Sequence, residues 1–547
     1  MTNDYLIRLI FVFLFSAAVS ISHAGLTEHM HDDHAVSADA EIGTVDFRVS
    51  CDQTVNKDFD RALGRMHHMM YEQARSEFEA IAKADPECGM AHWGIATTLF
   101  QPLWSTRPDK EVLERGWREI QEAMELESAT EREQLLVKAT AAFFREPETA
   151  GYWDRINRWA EGMAAAYKAN PDDLDTAALY ALSRLALAQV AEDRGPLHDE
   201  AEEILRKVWE KEPTHPGAIH YTIHATDADG RAENALDIVQ EYGKIAPQVP
   251  HALHMPTHIY VRLGDWPEII DWNKRSADAA LKYPVNGAVS HHYVHAIDYL
   301  LYAYLQQGED DKALAVFEEA MDKDRHQPSS ISTFHLAAMP ARLAVERRRW
   351  DDAIALQPGT PDYLPWETSS WPLGLTWFAR GLGGVHKGNL ELAREAEQQL
   401  EHLRKEAKAD REELDATYIE VDRRILAGWI AHTGEGDAKK AVRLIRSAAE
   451  LESTVEKPPV SPGALLPPYE ALGDLLMDMD RPVEALEAYR RSDDIWPGRF
   501  NSLLGAARAA NAADNKAVAR KYYGQLLEFA GDSERVEVRE ARRFLDE

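Results

Sequence analysis

Between Ala464 and Leu527 the chain repeats at a 34-residue period, and that period constrains the fold more than any other feature. Tyr469, Leu472, Gly473, Leu476, Ala485, Tyr489 and Pro497 stand at the offsets of two antiparallel helices with small residues at their contact and a proline closing the second. Ala519 follows Ala485 by 34 residues, and Tyr523 follows in register. Taking the small or aliphatic contact residue of each second helix as position 20, the same frame catches Ala74, Ala235, Ile269, Ala313, Ala353, Ala393 and Ala441. Gly230, Gly264, Gly308, Gly388 and Gly436 each sit five residues earlier, where a tight turn must join the helices. The spacings from Ala235 onward, 34, 44, 40, 40, 48, 44 and 34, predict extended loops or helices in the middle units.

One hairpin cannot bury its apolar face alone, so stacked units share a continuous core. A chain of 547 residues is in any case too long for a single compact core. The expected fold is all-α, an α-solenoid of antiparallel helix pairs forming a curved superhelix. Between Trp104 and Trp209 the frame weakens, though amphipathic spacing persists through Trp117, Ile120 and Met124. The expected organisation is a signal peptide at 1–24, a flexible histidine-rich linker at 25–45, helical hairpins at 46–125 and degenerate hairpins at 126–212. Histidine-rich repeats follow at 213–360, and a lid loop with further repeats at 361–547.

Arg8, the apolar run Leu9 to Val19 and Ser22-His23-Ala24 read as a cleaved export signal, too short to span a bilayer. The expected product is periplasmic or secreted, with no membrane insertion after cleavage. Cys51 and Cys88 then fit a disulfide tying an N-terminal strap to the first hairpin, or two buried thiols. The net charge of -32 repels phosphate backbones, which argues against a nucleic-acid partner.

With Cys88-Gly89-Met90-Ala91-His92-Trp93-Gly94, His215-Pro216-Gly217 and His254 through His258, the chain resembles tetratricopeptide-repeat proteins, and within them a histidine-rich bacterial exported subgroup. The resemblance implies a concave surface that binds a protein, a peptide or a small ligand. It implies no particular reaction. In such repeats positions 2, 5, 9 and 12 of the first helix face the concave side. His220, His224 and Asp227 take 5, 9 and 12; His251, His254 and His258 take 2, 5 and 9; His295 and Asp298 take 2 and 5; His335 takes 2.

Imidazole is the commonest protein ligand for a transition metal, so His220, His224, Asp227, His254, His258, His295, Asp298 and His335 are the candidate metal ligands. Zinc, copper or non-haem iron suit such a set better than calcium or magnesium. In His224-Ala225-Thr226-Asp227 and His295-Ala296-Ile297-Asp298 the carboxylate one turn on could be a ligand or could fix an imidazole tautomer. Pro256 threatens the helical register between His254 and His258. The tract His29, His31 and His34 could hold metal loosely or be solvated linker, while His67 and His68 read as surface or packing residues. Tyr221, Tyr260, Tyr293, Tyr299, Trp366 and Trp371 read mostly as core, and Gln357 to Pro372, with Glu367, as a lid over the groove. No His-Glu-x-x-His, Gly-x-Ser-x-Gly or phosphate-binding Gly-x-x-x-x-Gly-Lys-[Ser/Thr] run occurs, so no nucleotide cofactor is expected. Three functions remain: a scaffold binding its ligand in a histidine-lined concave groove, with or without a metal; a metal-dependent enzyme with its active site there; or a structural assembly factor for envelope complexes, recognised through other surfaces.

Overall fold

The structure, a computed structural model, describes residues 41–547 apart from 105–106, 127–129, 147, 411 and 459. The export signal and His29, His31 and His34 lie outside the described residues. Helix follows helix from Asn56–His67 to Val536–Asp546, and among the described residues β-structure amounts to the isolated bridges Val285 to Ala288 and Val289 to His326. Each helix packs chiefly against its neighbours in sequence, as a solenoid of hairpins requires. No described helix is long and apolar enough to cross a membrane.

The repeat frame has a direct physical counterpart. All nine position-20 residues, Ala74, Ala235, Ile269, Ala313, Ala353, Ala393, Ala441, Ala485 and Ala519, are 0% exposed. A bulkier side chain there would push the paired helices apart. The five turn glycines all adopt left-handed φ, between +68° and +76°, a region costly for any residue with a Cβ. The degenerate stretch is equally helical, running through Glu131–Phe144, Tyr152–Ala169, Leu174–Ala188 and Gly195–Lys211. Side-chain caps at Thr130 and Asp173 start two of these helices.

Two long-range closures distinguish this solenoid from an open array. At the N-terminal side, helix Asn56–His67 packs against Pro216–Thr226, and a Cβ on Gly217 would come within 2.7 Å of the His67 Nδ1. His68 reaches the Tyr242 hydroxyl at 2.9 Å and the Ile42 carbonyl at 3.0 Å, which docks the strap. At the other side the last repeats return to the middle ones. The Trp266 indole N–H donates to the Gly498 carbonyl at 3.0 Å, Arg499 to the Tyr302 hydroxyl at 2.7 Å, and Ser533 to the Gly308 carbonyl at 2.8 Å. The histidine repeats are therefore enclosed from both ends of the chain.

Cys51 and Cys88 form a disulfide across 37 residues of sequence. In the chain-entropy account a loop of that size contributes about 3–4 kcal/mol. The Cys51→Ser, Cys88→Ser variant is accordingly expected to lose about that much in denaturant unfolding of its N-terminal hairpins, with helical content unchanged in water. A midpoint equal to the wild type's would refute this.

Candidate functional site

Five helices bring imidazoles to one place. His220 and His224 lie on Pro216–Thr226, His251 and His254 on Pro250–His254, His258 on Pro256–Leu263, His292 and His295 on His291–Gln306, and His335 on Ser330–Glu346. Met255, in helical conformation, joins the two short helices around Pro256. The proline occupies a first-turn position, where its missing N–H costs no hydrogen bond. His254 and His258 therefore stay on one face, with ring centroids 4.9 Å apart.

The rings form a continuous series. His220 lies 5.0 Å from His224 and 4.9 Å from His251, His254 lies 4.1 Å from His295, and His295 stacks on His335 at 4.6 Å. Two triads stand out: one ligand nitrogen from each of His220, His224 and His251 lies within 4.8 Å of the others, and the same holds for His254, His258 and His295. His251 to His254 and His224 to His258, both 6.4 Å between ring centroids, link the triads.

Hydrogen bonds on the far side of the rings fix which nitrogen faces inward. The His220 Nδ1–H donates to the His67 carbonyl at 2.6 Å, and a carbonyl can only accept. The Asn273 amide donates its Nδ2 to the Ile269 carbonyl, so its Oδ1 accepts from the His254 Nδ1–H at 2.7 Å. His258 Nδ1 faces Asp227 Oδ2 and His335 Nδ1 faces Asp298 Oδ2, each at 3.0 Å. These four rings therefore carry their proton on Nδ1 and turn an Nε2 lone pair inward, by hydrogen-bond logic. The Nε2 atoms of His254 and His258 stand 3.0 Å apart, lone pair to lone pair, a repulsive contact that a cation between them would relieve. The Nε2 atoms of His220, His224, His295 and His335 and both ring nitrogens of His251 are buried without a protein partner. A buried polar atom without a partner costs about 1–3 kcal/mol, and these six ring nitrogens, brought together, could hold an ion.

Electrostatics agree with that arrangement. Burial holds the imidazoles neutral, taking His224 down to about 3 and His292 to about 4. Burial together with neighbouring rings carries His220, His251, His254 and His295 well below their ordinary value. Burial alone would raise the Asp227 carboxyl, but Lys457, Arg262 and the His258 hydrogen bond hold it below the usual range. Asp298 is treated the same way by Arg342 and His335. Neutral imidazoles whose tautomers are fixed by a carboxylate, a carbonyl or an amide behind them suit metal coordination.

The structure corrects three sequence expectations. The histidines do not line an open groove: His220, His251, His254, His258, His295 and His335 are all under 8% exposed, and only His224 is partly open. The cause is the closure at both ends, together with Trp104, whose ring lies 5.5 Å from His251, 5.4 Å from His291 and 6.0 Å from His292. Asp227 and Asp298 belong to neither triad, and each reaches the histidine of the following repeat rather than the one a turn before it. The covering segments are the stretch containing Trp104 and the one containing Lys457, whose Nζ lies 3.6 Å from Asp227. In the expected lid, Glu367 is exposed, Trp366 donates to the Pro361 carbonyl of the same loop, and Trp371 is buried against Phe334 and Tyr418.

His67, Asp175 and His215 form a third compact group with a different character. His67 and His215 both contact Asp175 Oδ1, at 2.9 and 3.2 Å, while His67 Nδ1 meets the Tyr221 hydroxyl and His215 Nδ1 accepts from the Ala218 N–H. Every ring nitrogen is engaged, so this is a packing network. Of the aromatic candidates, Tyr299 borders the triads, edge-on to His254 at 4.6 Å. Sequence reasoning missed Trp104, Asn273, Lys457, Arg262 and Arg342. Only the arginines carried a signal, as cations one turn after Pro256-Thr257-His258 and two turns after His335.

No protein-family model matches the chain, and no curated protein matches it. Among solved structures it is similar to the APC/C heterotetramer Cut9–Hcn1, at 13% identity over 90% of this chain and 95% of that one, with a TM-score of 0.33. It is also similar to a human IFIT1 dimer with m7Gppp-AAAA, at 13% identity over 80% of this chain and 90% of that one, with a TM-score of 0.39.

Proposed function

We propose that this chain is a transition-metal enzyme whose centre is the enclosed histidine chamber, with an ion held by His254, His258 and His295. The observation that carries the reading is the facing pair of unprotonated Nε2 atoms on His254 and His258, each ring anchored from behind, by Asn273 and Asp227. Three protein donors leave one tetrahedral position open, the arrangement of catalytic rather than structural sites. An all-imidazole donor set without thiolate or carboxylate favours copper or zinc over iron. A substrate reaching the rings must be small, because His220, His251, His254, His258, His295 and His335 are all buried.

The scaffold reading rests on a different place, a cavity of about 510 Å³ lined by Arg348, Trp350, His386, Trp429, Asp474 and Arg508 among others. A protein or peptide partner would dock there, away from the metal. Export is supported by the N-terminal run Leu9 to Val19 and by the disulfide, which belongs to oxidising compartments.

Protein purified without an affinity tag, then dialysed against copper or zinc, is expected to retain stoichiometric metal by elemental analysis. The His258→Ala, His295→Ala variant is expected to lose the ion held by His254, His258 and His295. Retention of no metal by correctly folded wild type would sink the reading.

A further inference from the structure

We infer that the chamber takes a second ion, at His220, His224 and His251, and that the pair binds a small anion between them. The inference rests on the metal reading above and extends it. The second triad has the same construction as the first: His220 is anchored through Nδ1 to the His67 carbonyl, and its Nε2, that of His224 and both nitrogens of His251 have no protein partner. Nothing in protein packing accounts for His251, which is 4% exposed, sits between His220 and His292, and makes no hydrogen bond through its ring. A ring this deeply buried with two idle nitrogens is explained by an ion that replaces the missing partner.

Charge then dictates the remaining ligand. Six neutral imidazoles lend no negative charge to two cations. The nearby carboxylates are already committed: Asp227 faces Arg262 at 2.8 Å and Lys457 at 3.6 Å, and Asp298 faces Arg342 at 3.0 Å. Uncompensated charge in a buried site is costly. The two ions therefore recruit an anion from solvent, and the enclosure by Trp104 restricts it to a few atoms, such as hydroxide, a halide or azide. Each triad offers one open position, and the triads adjoin through the His224 to His258 and His251 to His254 pairs.

Copper(II) titration of the metal-free chain, read by elemental analysis after desalting and by azide-induced absorption, tests this. Wild type is expected to bind two ions and one azide. His251→Gln removes a donor without breaking any hydrogen bond, and is expected to bind one ion and to weaken azide by at least about tenfold. His295→Gln, which spares the second triad, is expected to leave one ion as well. Two ions in wild type and one in each variant support the pair. A single ion in wild type, or two still held by His251→Gln, overturns the second site and leaves the first reading intact, whereas no ion at all removes both.

Discussion

Acidified from pH 7 to pH 4, the metal-free protein is expected to lose most of its folding stability, far more steeply than its carboxylates alone would cause. The rings of His220, His224, His251, His254 and His295 are held below their unfolded value of 6.5 by burial. Below pH 6.5 the unfolded chain takes up protons that the folded chamber refuses, so stability falls with falling pH. The fall continues until the folded values are reached, about 4 for His292 and about 3 for His224. Each such ring contributes about 1.4 kcal/mol per pH unit across that window. His224 and His292 acting together account for about 3 kcal/mol per unit, a large share of the roughly 5–15 kcal/mol that a folded domain possesses. Thermal melts at pH 7, 6 and 5 provide the measurement. Metal at about a hundred times its dissociation constant is expected to raise the whole profile by about 2.7 kcal/mol for each ion bound. A melting midpoint that stays flat from pH 7 to 5 would mean that the imidazoles are hydrated and the chamber is open.

The second large effect belongs to Asp298. Its carboxylate is 0% exposed and receives both the Arg342 guanidinium and the His335 imidazole. Asp298→Asn keeps an acceptor for His335 but leaves Arg342 buried without a counter-ion, at an expected cost of about 3–5 kcal/mol. Adding Arg342→Met should return much of that loss, because the double variant buries no charge. Urea unfolding of the two single variants and the double closes the cycle. Asp298→Asn within about 1 kcal/mol of wild type would show that Arg342 has water beside it and that the pair is not buried.

The repeat and its turns could be read from the chain because they depend on local chemistry. A small residue at Ala393 and a glycine at Gly388 answer to contacts within one hairpin, and the left-handed φ of that glycine follows from the turn alone. Convergence of the histidines was legible for the same reason, since the register sets the face on which His220 or His258 emerges. Their enclosure was not. It depends on partners far away in sequence: Trp104 in a stretch with almost no repeat signal, Lys457 after a long helix, and Arg499 meeting Tyr302 across 197 positions. Of the two roles open to Asp227 and Asp298, the structure shows the hydrogen bond that fixes an imidazole tautomer, and it goes to a different histidine for a related reason. A helix turn places each beside the preceding histidine, but stacking of neighbouring hairpins gives it a better-oriented donor in the next unit.

That the last repeats return to the middle ones changes how such an array must respond to damage. In a linear stack each unit answers only to its two neighbours, and trimming one end frays locally. Here Gly498, Arg499 and Ser533 fasten the tail to Trp266, Tyr302 and Gly308, so the stack is a buckled belt. Undoing the buckle slackens the turns it encircles, and a lesion in the final helices would reach, through Tyr302, the helix that carries His292 and His295.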